Sequence, residues 1–60
     1  MKEEDIPENV MAYIIEVCVE ELERERGHVD PEALERVIRE VIEPYTVEDI
    51  ARIEGKLKRR

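Results

Sequence analysis

From Val10 to Val19 the chain reads VMAYIIEVCV, and only Glu16 among these residues is charged. A helix that meets one neighbour needs apolar residues over about a third to a half of its circumference. This stretch exceeds that. At about 100° per residue, Val10, Ile14, Val17 and Cys18 fall at the centre of an apolar face. Met11, Ile15 and Leu22 widen it on one side and Tyr13 on the other, while Val19 and Ala12 carry it nearly to the back. Asn9, Glu16 and Glu20 are left as a thin polar strip. The pattern predicts a helix that touches more than one element.

Two narrower stripes follow. Leu34, Val37, Ile38, Val41 and Ile42 recur at helical spacing, and so do Val47, Ile50, Ile53 and Leu57, with Ala51 at the edge. Start and stop signals bracket all three segments. Asp5 and Glu8 have capping-box spacing with Pro7 in the first turn, and Gly27 can close the first helix in the left-handed conformation. Asp30 followed by Pro31 opens the second helix; Pro44 ends it and is expected to push Glu43 out of the helical region. Thr46 caps the third, with Asp49 as the capping-box acid. Gly55 costs this helix about 1 kcal/mol relative to alanine, but Leu57 continues the spacing of Ile53, so the helix is expected to run through it. The prediction is an all-α three-helix bundle with helices at about 6–26, 31–43 and 47–58, forming one domain over residues 1–60. The linkers GHVD and EPYT are short enough to make neighbouring helices pack antiparallel or cross sharply.

Size adds a constraint. A 60-residue chain is marginally stable unless something supplements its core. Cys18 is the only cysteine, which excludes an intrachain disulfide, and Cys18 with His28 is too small a set for structural zinc. Regular helix packing or self-association remains. Within the first helix, Met11, Ile15 and Val19 form an i, i+4, i+8 row that is expected to stay uncovered and meet a partner. The expected partner is a second copy across a two-fold axis, or otherwise another helical protein. The competing reading makes this helix simply the spine of the bundle, with ordinary exposed apolar residues.

Charge narrows the partners. The net charge of −7 disfavours nucleic acid and anionic membranes over the surface as a whole. Residues 1–51 hold five basic and sixteen acidic side chains, net −11, whereas residues 52–60 hold five basic and one acidic, net +4. Arg52, Lys56, Lys58, Arg59 and Arg60 thus give the chain a basic end, and the last two helices could be read as a helix-turn-helix that contacts DNA through it. Glu48 and Asp49 oppose that reading, because they stand in the first turn of the final helix and would face phosphate. Cations at the negative end of a helix dipole are the simpler explanation.

Candidate chemistry is sparse. Cys18 lies mid-face between Glu16 and Glu20, an environment for a buried thiol rather than an activated one. His28 is placed to bond the last carbonyls of the first helix. Glu20–Arg24, Glu32–Arg36, Glu35–Arg39 and Asp49–Arg52 have the spacing of ion pairs along a solvated face. No phosphate loop, dinucleotide fingerprint, HExxH or calcium loop is written in the chain, so no enzyme, cofactor, metal or small-molecule ligand is expected. No apolar run reaches the ~18 residues of a membrane span, and the acidic MKEEDIPEN start is unlike a targeting peptide. A free thiol without a secretion signal points to a reducing cytoplasm. Acidic, amide-poor, Glu/Arg-rich composition of this kind occurs both in hyperthermophile proteins and in idealised designed helical ones. The reading as a whole is a small helical structural or self-association module, natural or designed.

Overall fold

Each cap written in the sequence is a local contest for backbone hydrogen bonds, and two of the three starts are decided as expected. The computed structural model describes residues 1–59. Its elements are a 3₁₀ turn, Glu3–Asp5, followed by helices α1 (Glu8–Arg26), α2 (Pro31–Ile42) and α3 (Val47–Lys58). At the start of α2 the Asp30 carboxylate accepts the Glu32 backbone N–H at 3.2 Å, with Pro31 in the first helical position. At the start of α3 the box closes in both directions. The Asp49 N–H donates to Thr46 Oγ1 at 3.3 Å, and the Thr46 N–H donates to Asp49 Oδ2 at 2.9 Å.

The start of α1 differs from the expectation. Asp5 does not cap it and there is no capping box with Glu8; Pro7 occupies the cap position without a side-chain hydrogen bond. The reason is steric. Ile6 precedes a proline and is held extended, at φ −97° and ψ 129°, so an α-helix cannot begin there. Glu3–Asp5 instead form the 3₁₀ turn, and the Ile6 side chain drops into the core at 7 % exposure.

The end of α2 is a second correction. Glu43 precedes Pro44 yet stays helical, at φ −52° and ψ −48°, its N–H donating to the Arg39 carbonyl at 3.0 Å. The freed carbonyls find other donors. The Met1 ammonium donates to Ile42 O at 2.8 Å and to Glu43 O at 2.9 Å, and the Tyr45 N–H donates to Ile42 O at 3.0 Å. A cation thus closes the negative end of α2 from the opposite end of the chain. At the end of α1, Gly27 is left-handed at φ 78° and donates its N–H to Glu23 O at 2.8 Å, while His28 Nδ1–H donates to Arg26 O at 3.1 Å.

Both short helices seat on α1 more than on each other. The buried core consists of Val10, Ile14 and Cys18 from α1, Ile38 and Ile42 from α2, Ile50 from α3, and Ile6 from the lead-in. Leu22 is buried at the far end of α1. Along its thinnest axis the molecule extends only 16 Å, too little for a third layer over the back of α1. α3 runs through Gly55, as the Ile53–Leu57 spacing implied.

Three consequences can be measured. Ile14 is 3 % exposed among apolar neighbours, so Ile14→Asp buries an unpaired charge and should abolish the cooperative thermal transition seen by circular dichroism. A Cβ built on Gly55 meets no atom within 4 Å, so Gly55→Ala should stabilise the fold by about 1 kcal/mol in denaturant titrations. Hydrogen bonds from the Thr46 backbone and then its hydroxyl hold the Asp49 carboxyl below its usual range, with Arg52 assisting. A lowered folded pKa gives stability that is complete above the unfolded carboxyl's value and is lost as pH falls through the lowered one. Asp49→Asn should therefore remove that part of the acid-side decline in melting temperature while leaving the core contacts intact.

Candidate self-association surface

The surface of α1 is organised as parallel i, i+4 ridges, and their different fates define the candidate site. The middle ridge, Val10–Ile14–Cys18–Leu22, is buried throughout. On one flank runs Met11–Ile15–Val19, the row expected to meet a partner. Ile15 is 37 % exposed, Val19 is half-buried, and Met11 is half-buried with its side chain packed against the core. The row is therefore open at its middle and partly used by the bundle.

The other flank, Tyr13–Val17–Glu21, departs from the sequence reading. Val17 was expected at the centre of the apolar face, yet it is 42 % exposed, because the face follows the Val10–Leu22 ridge and leaves Val17 one row to the side. It borders a groove of about 280 Å³ between the three helices. Ile14 and Cys18 form the floor; Val17, Val41 and Ile53 supply aliphatic walls, with Tyr13 and Tyr45 beside them. Exposed Glu21 on α1 and exposed Lys56 on α3 stand at the rim. This groove joins residues from three segments and has no local sequence signature. The hint available was the surplus of apolar residues on α1.

The groove has limited chemical reach. Burial pushes the Cys18 thiol up from its ordinary value, and the Glu21 carboxylate pushes it further, so the reactive thiolate is disfavoured. Burial likewise raises Tyr45, followed by the charges of Asp49, Cys18 and Tyr13, which keeps the phenol neutral. Among the described residues no three His, Cys, Asp or Glu side chains gather as a metal ion would require. No helix in the described residues is long and apolar enough to cross a membrane.

Charges fall into two groups. Of the spaced pairs, Glu35–Arg39 closes at 2.9 Å and Asp49–Arg52 approaches to 3.9 Å. Glu20–Arg24 and Glu32–Arg36 do not form among the described residues; exposed pairs of this kind gain little over hydration. Arg52, Lys56, Lys58 and Arg59 are exposed along the end of α3, while Arg60 lies outside the described residues. The opposite end of α3 presents the Asp49 carboxylate, fixed in its cap by Thr46. No protein-family model, curated protein or solved structure matches this chain.

Proposed function

We propose that the chain is a small helical self-association module whose partner is a second copy of itself. One observation carries this reading. With α2 and α3 both seated on it, α1 still leaves Ile15 and Val17 at 37 % and 42 % exposure, one on each side of the buried ridge. Large apolar side chains left open on a helix that already carries two neighbours, each flanking the buried ridge, give a partner apolar surface to cover. Closed two-fold pairing is the commonest way to cover it. The chain's size supports the same reading, because pairing supplements a core of few side chains.

Molar mass by light scattering or sedimentation, followed from millimolar to micromolar protein, tests the proposal. The expected mass falls on dilution from twice the 7.1 kDa of one chain towards that of one chain. A constant single-chain mass up to the highest concentration overturns it.

A further inference from the structure

Resting on the self-association reading, we infer that the second copy seats in the Val17 groove rather than on the Met11–Ile15–Val19 row, with Glu21 of each copy facing Lys56 of the other. The groove is a concave feature with an apolar floor and aliphatic walls, which the Met11–Ile15–Val19 row is not. It draws side chains from all three helices around an opening of about 280 Å³ and sits beside a Val17 that is 42 % exposed. A two-fold interface must be complementary to itself, so each copy has to offer both a projection and a recess. Val17 beside the groove provides both. On the Ile15 flank, Met11 is already committed to the core and the row offers one well-exposed side chain.

Charge makes the same choice. A self-facing patch of one sign repels its copy, whereas opposite signs on opposite walls attract across a two-fold axis. Glu21 stands on the α1 wall and Lys56 on the α3 wall, and neither forms an ion pair within the chain among the described residues. Around them the asymmetry is larger. The last turns of α1 carry Glu20, Glu21, Glu23 and Glu25 against Arg24 and Arg26, four acidic and two basic for a net −2, and the end of α3 carries Lys56, Lys58 and Arg59. A two-fold axis through the groove brings the acidic end of one copy towards the basic end of the other, twice.

The test compares dimer dissociation constants for the 60-residue chain and for exposed-site variants whose fold is checked by circular dichroism. Val17→Glu should weaken the dimer about tenfold or more, since it desolvates a charge in the interface, while Ile15→Glu should leave it unchanged. Glu21→Lys and Lys56→Glu should each weaken it by roughly threefold, as rim charges do. Mixing those two single variants should restore assembly, because only the mixed pair puts opposite charges together at both contacts. A dimer lost in Ile15→Glu but kept in Val17→Glu overturns the groove while leaving self-association standing. A mixture no tighter than its components overturns the Glu21–Lys56 pairing. A wild-type chain that is monomeric at every concentration removes the self-association reading itself.

Discussion

The burial of one ridge, Val10–Ile14–Cys18–Leu22, beneath two helices is the contact on which the rest of the structure depends. Successive i, i+4 positions on an α-helix drift by about 40°, so such a ridge is inclined to the helix axis and its covering elements cross α1 at an angle. α2 and α3 each contact α1 more than they contact each other, and the wedge-shaped groove lies between the three helices. The aliphatic side chains that line it are Ile14, Val17, Val41 and Ile53, and the chain has neither Phe nor Trp to fill it. Its two aromatic residues, Tyr13 and Tyr45, both line the wedge. A phenol prefers a hydrogen-bonding partner for its hydroxyl, so it fills such a space from the edge better than from the middle. The groove is a consequence of helix geometry and a restricted choice of side chains.

Legibility in the sequence followed how local each interaction is. Asp30–Pro31 and Thr46–Asp49 act within three residues, and both caps form as written. Asp5 and Glu8 have the same spacing, yet Pro7 intervenes and its effect on Ile6 takes precedence over the cap. The identical effect at Pro44 fails to dislodge Glu43, because a bond to Arg39 holds its N–H and the Met1 ammonium takes its carbonyl. That ammonium contact joins residues 42 positions apart in the chain, and no local pattern encodes it. A steric preference of this size decides a conformation only where nothing longer-ranged opposes it.

The candidate site shows the same division. The excess apolar girth of α1 is visible in the sequence, and the structure leaves part of it, Ile15 and Val17, exposed. Which flank is open was not. A helical wheel averages over the axis and places Val17 beside Ile14, whereas packing selects a ridge and leaves Val17 in the adjacent row at 42 % exposure. The wheel likewise treats Met11, Ile15 and Val19 as equivalent. Packing breaks that equivalence: Met11 lies against the core cluster, whereas Ile15 stays 37 % exposed.

Charge placement links this geometry to assembly. A chain of net −7 repels its copy at long range, so pairing requires either a strong apolar contact or a local reversal of sign. The structure puts opposite charges at the groove itself: Glu21 lines it from α1 and Lys56 from α3, near whose end Lys58 and Arg59 add further positive charge. Cations at the end of α3 already have an intramolecular purpose, since they oppose the negative end of its dipole. In the proposed pairing the same residues would also complement Glu21 of a second copy, without competition between the two roles, because the first acts along the helix axis and the second across its side. Exposed charges contribute little to affinity individually, but they discriminate strongly between orientations of two identical surfaces. In this molecule the apolar groove would supply the attraction and the paired charges the register, a division that suits a chain too small to hold a large interface by area alone.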